Sequence, residues 1–211
     1  MNLIISLFSG FISAFIGITP PGLLNMTAAK VSMKEGKRNA FWFVLGAVLV
    51  IFCQVYIAVL FARIINARPD IILLLREVGF VIFTVLTVYF LWIAKQPKLK
   101  QPKIKKHSQK KRFFMGMLLS GLNFFPIPYY VFVSIWLSSY AIFSFDFTSV
   151  SIFVSGAVLG SLLVFYFYIG FFKKIEKKAD FILKNMNTII GGITGLVSVI
   201  TLINILEYYL G

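Results

Sequence analysis

The sequence predicts an all-α integral membrane protein with six transmembrane helices. They would form two inverted three-helix repeats, with spans one and four broken at Pro and Gly. The prediction depends on the apolar composition, the placement of basic residues and two matching proline motifs. Of 211 residues, 59% are hydrophobic and 13% are charged, and the mean hydropathy is +0.91. Because a soluble domain of this size could not bury so much apolar surface in one core, lipid is the expected solvent.

Six charge-free runs are candidates for the spans. A helix needs about 20 apolar residues to cross a bilayer core of roughly 30 Å. The first run lacks the preceding Lys or Arg that a cleavable signal peptide normally carries, so we expect it to be retained. The fourth run could be one broken span or a tight double crossing. The runs are residues 2–29, 39–62, 78–94, 113–145, 147–172 and 185–206.

The basic residues favour one crossing for each run. Three loops on one side would then hold four, nine and five of the 21 Lys and Arg residues, leaving Arg63, Arg68 and Arg76 on the other. The positive-inside rule places the basic side in the cytoplasm. A double crossing in the fourth run would remove this asymmetry. The sequence therefore predicts a multi-pass protein of the cytoplasmic (inner) membrane with both termini on the extracytoplasmic side.

The most polar stretch, KQPKLKQPKIKKHSQKKR at residues 95–112, divides the sequence into two halves. We predict a first three-helix repeat at 1–94, a basic cytoplasmic linker at 95–112 and a second three-helix repeat at 113–211. This stretch and the net charge of +14 would also suit nucleic acid or anionic lipid. We favour a linker and expect no nucleic-acid partner, because the membrane topology already requires positive charge there.

The first span of each half contains a matching interruption. GITPPGLLN (17–25) and GLNFFPIPYY (121–130) each place Gly, Asn and two prolines inside a long apolar run. Such paired interruptions in inverted repeats indicate a transporter site, whereas ordinary proline kinks are the alternative. Freed backbone groups and nearby polar side chains would hold the solute. The predicted substrate-binding residues are Thr19, Pro20, Pro21, Gly22, Asn25, Gln54, Asn123, Pro126, Pro128 and Tyr129.

The stretch PPGLLNMTAAKVSMKEGKRNAFWFVLGAVL (20–49) resembles the first-to-second-span signature of the LysE/RhtB amino-acid exporters. Gly36, Arg38, Ala40 and Gly46 occupy matching places. LLREVGFVIFTVLTVYFLWIAK is similar to the third span of that family, and Asn123 matches the asparagine of its fourth-span motif. The resemblance implies an exporter of amino acids or related small metabolites, driven by proton motive force.

Two departures from the family pattern indicate a divergent member. Pro20, Pro21 and Gly22 stand where the family has Pro-Gly-Pro. Two phenylalanines separate Asn123 from Pro126, and the basic residue that follows the family's Asn-Pro is missing. The resemblance therefore supports the fold and the transport class more strongly than an amino-acid substrate.

Other functional classes fit the sequence less well. An intramembrane enzyme would need a Ser–His pair or two carboxylates within the spans, but the only histidine, His107, lies in the linker. No catalytic residue, cofactor or metal is predicted, because the spans contain no His, Asp or Glu cluster. The alternative is a non-transporting scaffold or lipid-handling protein with basic cytoplasmic loops. Stripes of small residues in spans one, five and six could pack within the chain or form a homodimer.

Overall fold

The computed structural model describes residues 3–94 and 108–210, with side chains described except at 69–73, 75–76, 172–184 and 186. The described residues are helical apart from short connections. Residues 95–107 of the predicted linker, including His107, lie outside this part. The helices are α1 (Leu3–Ile18), α2 (Leu23–Glu35), α3 (Lys37–Asn66), α4 (Pro69–Val88) with a π-helical turn (Tyr89–Ile93), α5 (Gln109–Gly121), α6 (Pro126–Ser139), α7 (Phe147–Lys184) and α8 (Met186–Leu210).

Three helices in the described part are long and apolar enough to cross a membrane: α3, residues Phe147–Phe171 of α7 and residues Asn187–Leu210 of α8. Two more candidates are the bent pairs α1 with α2 and α5 with α6, whose axes differ by 79° and 61°. A shorter apolar helix, Glu77–Ile93, occupies the predicted third span. The described part of the chain is thus helical, with three to five candidate spans, as expected of a multi-pass membrane protein. Six spans in two inverted repeats stay a prediction.

The chain forms two compact units. The first comprises Met1–Ile64 and Pro102–Ala179, and therefore contains α1, α2, α3, α5, α6 and most of α7. The second comprises Ile65–Gln101 and Asp180–Gly211, with α4, the π-helical turn and α8. The first unit thus combines helices from both predicted repeats. The predicted division at 95–112 stays a prediction, with α5 already beginning at Gln109.

Glycines in the first unit allow α1 and α7 to pack backbone against backbone. A Cβ atom on Gly10 of α1 would lie 2.0 Å from the carbonyl oxygen of Phe153 in α7. A Cβ atom on Gly156 of α7 would lie 2.1 Å from the carbonyl oxygen of Leu7. Only glycine fits at such distances. The small-residue stripes of α1 and α7 therefore pack within the chain, so a homodimer, the other possibility left open by the sequence, would need another surface.

A second glycine contact joins α3 to α5 in the same unit. Cβ atoms on Gly46 of α3 and Gly116 of α5 would each lie 2.0 Å from a carbonyl oxygen of the other helix, those of Phe113 and Phe43 respectively. Phe43 and Ile51, both in α3, are buried in the core of this unit. This contact brings α3 against the segment that leads into the second proline motif.

The second unit is a pair of regular helices joined by hydroxyl groups. The Thr84 Oγ1 of α4 lies 2.7 Å from the Ser198 Oγ of α8. One turn along α4, the Thr87 hydroxyl donates to that of Thr194 at 3.0 Å. A Cβ atom on Gly195 would lie 3.2 Å from Thr87 Cγ2. The small residues of α8 thus also serve packing inside the chain.

Candidate functional site

The first helix break separates α1 from α2 at the predicted proline motif. Pro20 and Pro21 have no backbone N–H to bond to the preceding turn, so α1 ends at Ile18. The chain resumes as α2 at Leu23, after Gly22 in an extended conformation with φ −126° and ψ 178°. The last carbonyl groups of α1 therefore need donors from elsewhere, since apolar surroundings supply none.

Asn25 supplies those donors from the first turn of α2. Its Nδ2 donates to the carbonyl oxygen of Ile18 at 2.5 Å and to that of Pro20 at 3.1 Å. These two acceptors determine the orientation of the amide, because only the nitrogen can donate. Asn25 is 3% exposed, and its Oδ1 atom is buried with no hydrogen-bond partner among the described residues. The first break therefore retains one unused, inward-facing acceptor.

The second break separates α5 from α6 and is capped in the same way. Pro126 begins α6, and the carbonyl groups of Ser120 and Asn123 lie just before it. The Ser120 oxygen accepts from the Asn123 backbone N–H at 3.0 Å. Gln54 of α3 donates from Nε2 to both oxygens, at 3.2 Å and 2.8 Å. Gln54 is 6% exposed, and its Oε1 atom also has no partner in the part of the chain that the structure describes. Both breaks thus combine a double cap with a buried amide oxygen.

Tyrosines connect the breaks to neighbouring helices. Tyr129, in the first turn of α6, donates from its hydroxyl to the carbonyl oxygen of Ser13 in α1 at 2.8 Å. Its ring packs on Gly17, where a Cβ atom would lie 2.8 Å from Cε1. Tyr168 of α7 donates to the carbonyl oxygen of Thr19 at 2.8 Å. The two broken elements are therefore in direct contact.

The predicted residues contribute unequally to this arrangement. Asn25 and Gln54 contribute buried side chains, Tyr129 contributes its hydroxyl, and Asn123 contributes its backbone carbonyl group. The prolines and glycine shape the breaks. Pro21 is buried, Gly22, Asn123, Pro126 and Tyr129 are half-buried, and Thr19, Pro20 and Pro128 are exposed.

Two residues of this region, Tyr168 and Ser120, were not predicted from the sequence. Tyr168 belongs to an aromatic run, but it lies one turn beyond the buried Val164 and Phe165. That spacing on one helix face is the signal that could have identified it. The Ser120 hydroxyl is buried without a partner among the described residues, beside the Gln54 amide.

The chemistry of the two breaks is that of hydrogen bonding. Amides, hydroxyls and backbone groups line them, which can hold a polar solute without a nucleophile or general base. Among the side chains that the structure describes, no three of His, Cys, Asp or Glu come close enough to hold a metal ion. Interrupted, internally capped helices in a multi-pass helical protein are typical of secondary transporters.

The sequence profile of the LysE type translocator family matches residues 15–204, which include both breaks. The chain belongs to this family, and the resemblance to the LysE/RhtB exporters is confirmed. Comparisons with curated proteins and with solved structures give no match. Members of the family are transporters rather than enzymes, and membership makes this chain a membrane exporter of small molecules.

Proposed function

We propose that this translocator exports amino acids or related small metabolites across the cytoplasmic membrane and holds its solute at the two helix breaks. The observation that carries the proposal is the pair of buried, unpartnered amide oxygens, Asn25 Oδ1 and Gln54 Oε1. One belongs to each break, and Tyr129 connects the α6 end of the second break to α1.

The two amide oxygens are suited to an ammonium group. A buried acceptor without a partner costs about 1–3 kcal/mol. A solute that donates to such an acceptor recovers this cost, which favours binding at the breaks over binding elsewhere in the apolar unit. Because both amide nitrogens are occupied by backbone carbonyl groups, the side chains of Asn25 and Gln54 offer acceptors alone.

The carboxylate of an amino acid would bind at the start of α2. The first backbone N–H groups of a helix attract anions, and the helix dipole adds to this attraction. Gly22 at the N-cap has no side chain to occupy these donors, and the first turn of α2 contains no acidic residue. The start of α6 offers fewer donors, since Pro126 and Pro128 lack backbone N–H groups. We therefore expect the carboxylate at the first break.

The basic loops support an orientation with both termini on the extracytoplasmic side. In a Cys53→Ala background, cysteines at the exposed positions Tyr140 and Ser108 would test it. A membrane-impermeant thiol reagent added outside the cells should label Tyr140→Cys and spare Ser108→Cys. The reverse pattern would refute the orientation. Family membership further suggests that export is driven by proton motive force.

Solute efflux tests the proposal directly. The purified protein is reconstituted in liposomes loaded with single radiolabelled amino acids, and efflux is followed with and without a pH gradient. We expect Asn25→Ala and Gln54→Ala to lower the initial efflux rate at least tenfold, because each removes a solute acceptor.

Thr27→Ala and Ser161→Ala are matched controls for these variants. Both residues are buried and polar, but their hydroxyl groups bond within their own helices, at 2.6 Å and 2.7 Å. Their efflux rates should stay within about twofold of the parent. The absence of efflux for all amino acids tested, or equal rates in the Asn25 and Thr27 variants, would contradict the proposal. A lipid-handling scaffold predicts that result.

A further inference from the structure

A buried ion pair joins the two broken elements at a distance from both breaks. Glu35 is the last residue of α2, and Arg112 lies in the first turn of α5. The Arg112 Nε donates to Glu35 Oε2 at 2.8 Å, and its Nη2 donates to Oε1. Both side chains are 1% exposed. Two parallel bonds of this kind are the strongest geometry available to an arginine and a carboxylate.

Neighbouring side chains support the pair on both sides. Asn39 of α3 donates from Nδ2 to Glu35 Oε2 at 3.4 Å. The Nη1 of Arg112 lies 2.9 Å from the sulfur of Met115. Charges buried in a medium of low dielectric constant attract strongly and are costly to separate. The pair therefore holds the end of α2 firmly against the start of α5.

The two broken elements lie alongside each other in opposite directions. Helix α1 packs against α6, and α2 packs against α5. The bond from Tyr129 to Ser13 joins α1 to α6, whereas the pair of Glu35 and Arg112 joins α2 to α5. The two broken elements are thus joined by one polar contact before the first break, between α1 and α6, and by another after it, between α2 and α5.

The contact between α2 and α5 contains no close backbone approach at a glycine. The close backbone approaches at glycines in this unit join α1 to α7, through Gly10 and Gly156, and α3 to α5, through Gly46 and Gly116. Side-chain contacts can form and break without moving a tightly packed backbone pair. The α2–α5 contact can therefore open while these glycine contacts stay intact.

We propose that the pair formed by Glu35 and Arg112 is a gate that closes the path to the breaks from the side where α2 ends and α5 begins. It opens when the pair separates, and the contact of Tyr129 with Ser13 closes the opposite side. This inference rests on the proposed function, in that the breaks are taken as the solute site. The gate itself can be tested without any solute.

Accessibility of the first break measures the state of the gate. Gly22 is a suitable position for a cysteine in a Cys53→Ala background, because a Cβ atom there would meet nothing within 4 Å. An impermeant maleimide is added to inside-out and to right-side-out membrane vesicles, and the labelling rate of Gly22→Cys is measured. Glu35→Gln should raise the rate about tenfold in one vesicle orientation only.

Two further variants keep the test decisive if Glu35→Gln folds poorly. Arg112→Lys keeps the positive charge but cannot form the two parallel hydrogen bonds to Glu35. We therefore expect the labelling rate to rise about threefold. The exchange Glu35→Arg with Arg112→Glu restores the pair and should return the rate to within about twofold of the parent. Glu77→Gln is the matched control, because this carboxylate accepts a hydrogen bond from Tyr209 in the second unit and should leave labelling unchanged.

The gate is refuted if the single variants label at the parent rate, or if they label faster from both sides. The first result would mean a purely structural link, and the second a general loosening of the fold. Because labelling needs no transported solute, a protein without amino-acid efflux can still show the gate. Conversely, efflux with unchanged labelling would overturn the gate alone.

Discussion

The two helix breaks have the same cap but obtain it from different places. Asn25 bonds to carbonyl groups seven and five residues before it, so the first break is capped from within its own segment. Gln54 lies 66 and 69 residues before the carbonyl groups that it caps. The first break can therefore form as soon as its own stretch of chain folds. The second break depends on the packing of α3 against α5.

The largest expected effect comes from separating α3 from α5. Gly46→Val would place side-chain atoms where a Cβ atom already lies 2.0 Å from the Phe113 carbonyl oxygen. We expect a loss of about 3 kcal/mol in stability, at the upper end for overpacking. Hydrogen exchange should then increase more at the second break than at the first, because Gln54 moves with α3.

The matched control for this prediction is Gly79→Val in α4. A Cβ atom on Gly79 would meet nothing within 4 Å, so the same substitution there lacks the clash. Denaturant unfolding in detergent micelles should show a much smaller change than for Gly46→Val. Equal losses for the two variants would mean that the α3–α5 contact does not support the second break.

The next largest effect is expected from removing the Gln54 side chain, which caps the second break from α3. Gln54→Ala removes the donor of the Asn123 carbonyl group and one of the two donors of the Ser120 carbonyl group, which should cost about 2 kcal/mol. Asn25→Ala removes the side-chain donor of the Ile18 and Pro20 carbonyl groups, which should cost about 1 kcal/mol, and it should act on the first break only. Hydrogen exchange at the amides of Thr19 and Gly22 and at residues 122–125 distinguishes these outcomes. If either variant loosens both breaks equally, the local and remote caps are not independent.

Removal of the hydrogen bond between the two elements should have a smaller effect. Tyr129→Phe keeps the ring against Gly17 and loses only the bond to the Ser13 carbonyl oxygen. One neutral hydrogen bond contributes about 1 kcal/mol, so the unfolding midpoint should fall slightly. Tyr140→Phe, at an exposed position, serves as the control and should leave the midpoint unchanged.

The smallest effect concerns a third cap, outside the membrane-spanning segments, which contrasts with the uncharged caps at the breaks. Asp146 accepts from the Ser149 backbone N–H at 2.9 Å at the start of α7. Hydrogen bonds from Ser144 and Ser149 lower the pKa of Asp146 to about 2. Its contribution to stability is therefore complete above the unfolded pKa near 3.8 and is lost as the pH falls through about 2.

Hydrogen exchange at the Ser149 amide measures this titration. Exchange relative to the intrinsic rate should rise as the pH falls from 4 towards about 2. The Asp146→Asn variant, whose side chain does not titrate, should show no such pH dependence. Neither Asn25 nor Gln54 titrates, so protection at the two breaks should not follow this curve. A parallel loss of protection at the breaks would mean that the caps are coupled.

The two helix breaks could be predicted from the sequence, because proline acts on the backbone next to it. The helices end where GITPPGLLN and GLNFFPIPYY predict an interruption, because a proline cannot donate to the preceding turn wherever it stands. Asn25 follows Pro21 by four residues, a spacing that places both on one helix face. The stripes of Gly10 and Gly156 predicted close packing, but not which helices meet, since a stripe describes only one of the two surfaces.

The pairing of Glu35 with Arg112 lay beyond sequence reasoning. The two residues are 77 positions apart, and the sequence contains 21 Lys and Arg residues with which Glu35 could pair. Only packing of α2 on α5 selects these partners and removes them from solvent. Gln54 was predicted as a solute contact, with a bond to a neighbouring helix as the alternative, and in the structure it caps a distant helix end.

The sequence by itself determined the solvent, the helical class, the positions of the two breaks and the family. These properties depend on composition and on each residue's own backbone chemistry, which act without a partner. Only the tertiary structure decided which donor caps the second break, which glycines meet which carbonyl groups, and which arginine Glu35 binds. Such contacts are short-range and join distant residues, so they exist only once the helices are packed.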